Sequence, residues 1–192
     1  MYRPILLLFT ILLSGNAMAL EEPEFDVLAT TDDYEIRRYL PYLVAEVDVD
    51  GNSADNRAFR MLAGYIFGDN DSQEKMQMTA PVESRENSAA SALTYAFVME
   101  GKYTLATLPT PTDERIRLLE RPARTVAVRR FSGRWSESNV KKNEAQLLRD
   151  LEENGITLQG DVELARYNGP MTPWFLRRNE IIVPIDWSAP DQ

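Results

Sequence analysis

Along residues 43–49 the side chains of Leu43, Ala45, Val47 and Val49 alternate with those of Val44, Glu46 and Asp48. A two-residue period places each set on one face, so the segment predicts a strand with one apolar face and one mostly wet face. Comparable runs predict strands over 34–40, 76–82, 93–99, 116–120, 125–131, 162–168 and 180–185. In the 76–82 run Pro81 lacks the amide needed for a central ladder, which confines it to an edge or a strand end. Two stretches carry the helical period instead. Phe59, Leu62, Ala63 and Ile66 fall at i, i+3, i+4 and i+7, with Ser53 placed to cap the start and Gly68 to close the end. From about Ser136 to Asn154, Val140, Leu147, Leu148 and Leu151 share one side. There Asn154-Gly155 supplies a left-handed stop, and Glu137 stands one turn before Lys141 as a favourable surface pair.

In this order the chain repeats itself. Strand, Pro41, strand, helix, strand, strand is followed by strand, Pro122, strand, helix, strand, strand. The halves run from about 25 to 106 and from about 114 to 186, and the Pro/Thr stretch Thr107 to Thr112 joins them as an extended connector. Ser84 to Ala92 reads as a polar loop inside the first half. The class is α+β, and a duplicated ββαββ unit can curl into one twisted sheet or barrel with both helices packed on it. Ligands would favour a groove between sheet and helix, or the pseudo-symmetric seam.

The N-terminus alters where this domain is expected to work. Arg3 precedes the apolar run Ile5 to Leu13, and Ala17-Met18-Ala19 suits a signal peptidase. We therefore expect residues 1–19 to be a signal peptide cut before Leu20, leaving 20–192 as a single domain. The apolar run falls short of the roughly 20 residues that span a bilayer, so no membrane insertion is expected once the signal is removed. Export permits disulfides, but the chain has no cysteine to form one. Its core must suffice, and a domain of this length buries about two-thirds of its unfolded surface. The bacterial periplasm is favoured over eukaryotic secretion by the short signal and the missing disulfides.

Charge and composition remove several function classes. A formal charge of −9, spread along the chain, repels phosphate backbones and argues against a nucleic-acid partner. Without His or Cys, Ser-His-Asp and Cys-His catalysis and the usual zinc sites cannot be built. Gly64 to Gly68 lacks the Lys-Ser/Thr of a phosphate loop. Asp69 to Glu74 lacks the central Gly and the distal Glu of a calcium loop. No carboxylate pair stands out for acid–base work, so an enzyme is not expected.

Three stretches together resemble a known family. They are Tyr34-Glu35-Ile36-Arg37-Arg38-Tyr39-Leu40-Pro41, Met76-Gln77-Met78-Thr79-Ala80-Pro81-Val82, and Tyr167-Asn168-Gly169-Pro170 through Arg177-Arg178-Asn179-Glu180-Ile181. In this order and spacing the chain resembles the SOUL / haem-binding protein family from roughly Phe25 to Asp186. The resemblance implies a distorted antiparallel β-barrel of two ββαββ pseudo-repeats carrying two main helices, an architecture similar to gyrase-inhibitor-type effector-binding domains. It also implies a haem or other tetrapyrrole ligand in a hydrophobic groove beside the first helix. On this chain that groove maps to Phe59, Leu62, Ala63 and Ile66, although a helix face simply buried on a sheet accounts for the same four residues.

The sequence departs from the family pattern at its ligand contacts. Arg38 stands where one vertebrate branch has a proposed axial His. Asn56, Gly64 and Thr172 stand where basic residues are thought to meet haem propionates. Arg57 and Arg60 lie near enough on the helix to substitute. Any haem bound here would have Tyr, Met, water or nothing on its iron. For Arg177, Arg178 and Glu180 the resemblance leaves two readings, a charge network that ties down the last strand or direct ligand contact. The expectation is thus an exported, non-enzymatic domain that binds a small hydrophobic ligand, haem among the candidates, with no histidine ligation and no metal site of its own. The alternative is a small-molecule effector-binding or protein-interaction module that keeps the fold and has lost haem.

Overall fold

The computed structural model describes residues 20–50, 54–87 and 92–188. The expected signal peptide, the Ser53 cap and the centre of the expected 84–92 loop lie outside these residues. The elements run β1 (Phe25–Thr30), β2 (Glu35–Tyr39), β3 (Tyr42–Val49), α1 (Ala54–Ile66), β4 (Val82–Asn87), β5 (Ala92–Val98), β6 (Arg117–Arg121), β7 (Arg124–Phe131), α2 (Glu137–Glu153), β8 (Thr157–Leu158), β9 (Glu163–Arg166) and β10 (Asn179–Asp186). A 3-10 turn over Trp174–Leu176 precedes β10.

The strands form one antiparallel sheet in the order β1-β2-β7-β10-β9-β4-β5-β3-β6, with β8 added beside β10. The sheet curls into a half-barrel, and its order reads as a pseudo-twofold. β2, β7, β10 and β9 on one side correspond to β6, β3, β5 and β4 on the other. The two halves exchange strands across this symmetry: β2 pairs with β7, with Tyr39 opposite Arg124, and β6 pairs with β3, with Tyr42 opposite Arg121. Pro41 and Pro122 therefore lie where the chain leaves one half for the other. The seam is the β4–β9 pair, where Ser84 faces Leu164 and Arg85 faces Glu163.

Two expectations need correction here. Residues 76–81 are not a strand, although Met76, Met78 and Ala80 alternate like one. Their donors are taken by neighbours: Met76 N–H reaches Ile66 O, Gln77 N–H the Glu100 carboxylate and Ala80 N–H Glu21 O. Strand β4 begins only after Pro81, in what reads as a polar loop. Its inward side carries Glu83, buried with its carboxylate 3.2 Å from Arg121 and accepting a 2.9 Å hydrogen bond from Tyr42. A charge at a buried position looks like solvent exposure to any hydrophobic pattern.

Helix α1 packs on the outer face of β3 and β5 through Ala54, Ala58, Leu62, Tyr65 and Ile66. Small alanines let the helix lie close to the sheet, and the Tyr65 hydroxyl is satisfied by Pro109 O at 2.8 Å. Helix α2 buries Leu147 and Leu151 against Ile36, Ala127, Ile181 and Val183. Ser136 caps it by accepting from Asn139 N–H at 3.4 Å. Gly133, at φ 120°, makes the turn before it, where a Cβ would come 2.6 Å from the Asn139 side chain.

The concave side combines an apolar cluster of Tyr39, Val126, Val128, Ala165, Tyr167 and Ile182 with two ion networks. In one, Arg124 and Arg121 hold Glu163 at 2.7 and 3.1 Å. In the other, Glu180 is fully buried and accepts from Arg37 at 2.9 and 3.3 Å, Arg178 at 2.9 Å and the Tyr167 hydroxyl at 2.9 Å. The last-strand motif thus divides. Glu180 ties β10 to β2 through Arg37 and Arg178 links Glu180 to Glu22, whereas Arg177 donates to Pro170 O and Thr172 O and stacks 4.2 Å from the Trp135 ring.

Candidate functional site

The buried stripe of α1 is rotated by about one position from the periodicity-based stripe. Ala58 and Tyr65 join Leu62 and Ile66 in the core, and Phe59 swings onto the flank at 48 % exposure. There its ring meets Phe97 edge-on, with centroids 5.4 Å apart. Phe59 forms one wall of a groove of about 460 Å³, within the usual size range for ligand pockets. The opposite walls are Met78, Ala80 and Val82 from the 76–82 segment, Trp135 from the lead-in to α2, and Tyr167 to Pro170 after β9. Two of the three motif stretches singled out from sequence therefore converge on the same cavity from opposite halves of the chain.

The six expected site residues are not brought together. Phe59 lines the groove. Leu62 and Ile66 are buried in the α1 core with no surface left for a ligand, and Ala63 is half-buried against the same core. Arg57 and Arg60 face a separate, polar concavity with Met61, Tyr65, Asp69 and residues 112–116. Arg57 is held by Asp50 at 3.6 Å, and Arg60 Nε donates to Asn56 O at 3.2 Å. Of the positions matched to the family's basic residues, Asn56 lines the groove, while a Cβ at Gly64 would come 2.5 Å from the Asp69 carboxylate.

The cation that does line the groove is Arg166, the last residue of β9, on a rung shared by Val82 of β4 and Asn179 of β10. Its guanidinium carbon stands 5.5 Å from the Trp135 ring centre and 5.6 Å from that of Tyr95. Asp55, on the first turn of α1, pairs with it at 3.6 Å and accepts a hydrogen bond from the Tyr95 hydroxyl. Burial pulls the Arg166 guanidinium below its ordinary value and Asp55 opposes that pull, so the group stays charged in a low-dielectric wall. Trp135 is fixed by an Nε1–H bond to Asn179 Oδ1 at 2.8 Å. Arg166 and Trp135 carried no periodic or motif signal, because each owes its place to a turn or strand end that only the folded sheet defines.

Chemically, the groove offers an apolar slot, one cation and one soft donor. The Tyr167 hydroxyl already donates to Glu180, and burial pushes its ionisation far up, so a phenolate ligand is disfavoured. Met78 contributes the thioether. No cluster of three or more Cys, His, Asp or Glu able to hold a metal ion is found among the described residues. The lining fits a flat apolar ring with an acidic edge: side chains of Phe59, Met78, Val82 and Trp135 for the ring, and Arg166 for a carboxylate.

Comparisons with known proteins bear on the family and the fold. Residues 20–184 match the family described as SOUL heme-binding protein. Curated relatives include heme-binding protein 1 of Mus musculus, 32 % identical over 146 residues, covering 71 % of this chain and 76 % of that protein. Heme-binding protein 2 of Homo sapiens is 30 % identical over 186 residues, covering 85 % and 89 %. Among solved structures, one titled a hydrolase from Listeria innocua superposes with a TM-score of 0.60 at 14 % identity, covering 83 % of this chain and 94 % of that one. The EcmrR C-terminal domain superposes with a TM-score of 0.60 at 13 % identity, covering 80 % and 96 %. At such identities these structures share the fold alone. On a family match that spans nearly the whole described region, this chain belongs to the SOUL heme-binding protein family.

Proposed function

We propose that this protein binds haem or a related tetrapyrrole in the groove walled by Phe59, Met78, Trp135, Arg166 and Tyr167, without histidine ligation. The observation that carries this reading is the meeting of an apolar slot with one wall cation, Arg166, whose carboxylate partner Asp55 is largely exposed and can be displaced. Phe59, Val82 and Trp135 would hold the macrocycle by burial, worth about 25 cal/mol per Å² before the entropy of association takes its share. Arg166 would orient a propionate and release Asp55, which is largely exposed and readily hydrated. Haem, when bound, would supply iron chemistry; the chain offers that iron the Met78 thioether or water. The protein is a binder rather than a catalyst in this reading, since Asp55 and Arg166, the ionisable pair of the groove, neutralise each other.

Export to the bacterial periplasm belongs to the same proposal. Glu21 O accepts from Ala80 N–H at 2.8 Å and Glu22 pairs with Arg178 at 2.9 Å. The N-terminus found on the recovered protein checks the cut before Leu20. The binding test is titration of untagged protein with hemin, followed by Soret absorbance. Saturable binding that Arg166→Gln weakens for hemin, but not for protoporphyrin dimethyl ester, supports the assignment. A sharp bis-imidazole-like spectrum, or equal affinity of both proteins for hemin, sinks it.

A further inference from the structure

The connection from the groove to β10 carries the most exposed apolar cluster of the described chain. Met171 is 93 % exposed, and the 3-10 turn that follows presents Trp174 at 51 %, Phe175 at 58 % and Leu176 at 64 %. The backbone beneath is held firmly. Gly133 N–H donates to Trp174 O at 3.0 Å, Leu176 N–H to Pro173 O at 2.9 Å, and the Arg177 side chain to Pro170 O and Thr172 O. The apolar side chains thus project from a braced loop, and the two rings meet edge-on at 5.5 Å. Large exposed apolar side chains gathered on one tip mark a contact surface, whereas scattered ones do not.

Unpaired positive charge gathers near this tip. Of the six arginines in the two segments that meet there, 126–136 and 164–179, Arg129 pairs with Asp33 and Asp150, Arg166 with Asp55, and Arg178 with Glu22 and Glu180, which leaves Arg130, Arg134 and Arg177 without a carboxylate partner among the described residues, in a chain of net charge −9. Arg130 and Arg134 are exposed, Arg134 follows the glycine that holds Trp174 O, and Arg177 donates into the loop itself. Protruding Trp, Phe, Leu and Met side chains with a cationic collar complement a bilayer interface, where aromatic rings sit at headgroup depth and arginines meet anionic lipid.

We propose that the 170–176 loop docks this protein onto the surface of an anionic lipid bilayer. The expectation of no membrane insertion rested on the want of a spanning segment, and among the described helices none is long and apolar enough to cross; interfacial docking requires no such span. Gly169 and Pro170 begin this loop and also line the groove. Docking therefore brings the groove mouth to the bilayer, where a hydrophobic ligand partitions. That last consequence rests on the proposed function; the docking itself does not.

The test uses the chain from Leu20 to Gln192, which holds every described element and omits the apolar leader. Sedimentation is measured without hemin, on vesicles of phosphatidylcholine alone and on vesicles containing 30 % phosphatidylglycerol. Binding should favour the anionic vesicles and weaken as salt is raised. The combined variant Trp174→Ser, Phe175→Ser, Leu176→Ser should lose at least tenfold in vesicle affinity while keeping its thermal melt and hemin titration. Phe67→Ser, which removes an exposed ring elsewhere on the surface, should bind as the parent does. Failure of the parent to bind either vesicle overturns the proposal, as does equal binding by the triple variant. So does a parent dimer in light scattering that the triple variant dissolves, since the tip would then be an interface between copies. Loss of hemin binding with vesicle binding intact would instead count against the groove reading alone.

Discussion

Alanine at Phe59 and at Leu62, three residues apart on α1, should separate ligand binding from folding. Leu62 is fully buried between α1 and the sheet, so Leu62→Ala loses about 3 kcal/mol from transfer and cavity terms. In a domain of this size that lowers Tm by roughly 6 to 12 °C. Phe59 is 48 % exposed, and full burial would make its loss worth about 3 to 5 kcal/mol. Half of that, about 1.5 to 2.5 kcal/mol, is the expected folding cost, or roughly 3 to 10 °C. The exposed half of the ring is about 100 Å², which a ligand could cover for at most about 2.5 kcal/mol. After ordering costs, Phe59→Ala should weaken hemin about tenfold. Circular dichroism melting and Soret titration on both variants read the two effects separately. If Leu62→Ala weakens hemin as much as Phe59→Ala at a temperature where both are folded, or if Phe59→Ala leaves hemin unchanged, the groove is misassigned.

Three further outcomes follow from the charge placement. Glu180→Leu strips Arg37 of its buried carboxylate partner and should cost about 3 to 5 kcal/mol, read by urea denaturation; a loss under 1 kcal/mol would show that the network contributes little. Burial alone would raise the Glu163 carboxyl, but hydrogen bonds and charge from Arg124, then Arg121, outweigh it and hold the group below its ordinary value of 4.5. Its stabilisation is therefore complete above pH 4.5 and lost as pH falls through the lower folded value. Glu163→Gln should accordingly melt below the parent at pH 7, with the gap closing under acid; a gap independent of pH contradicts this. Arg57→Gln with Arg60→Gln, outside the groove, should change stability by about 0 to 1 kcal/mol and leave hemin titration untouched, and a tenfold loss there would place the ligand on the other side of α1.

What could be read from sequence and what could not divide along physical lines. Local periodicity and end chemistry are properties of neighbouring residues, so both helices and the Gly68 and Asn154-Gly155 stops were legible, as was the repeated element order about Pro41 and Pro122. The edge strand β1 left no such signal, because with most of Phe25–Thr30 exposed its pattern answers to no single core face. Strand β4 hid for the opposite reason, since its buried position is a glutamate that faces arginine and tyrosine from β6 and β3.

A duplicated α+β chain, the absence of any histidine or cysteine chemistry and, through the ordered motifs, the family were all written in the order of residues along the chain. Tertiary structure alone decided which side of α1 faces the ligand, because the rotation of a helix on a sheet is set by which residues the sheet can accept. Ala54 and Ala58 allow close approach and Tyr65 finds a carbonyl, and together they turn Phe59 outward. It also decided the cation. Arg166 and Trp135 lie 31 residues apart in sequence, and only the pairing of β9 with both β4 and β10 sets them around one cavity with Phe59, a juxtaposition that no local pattern encodes.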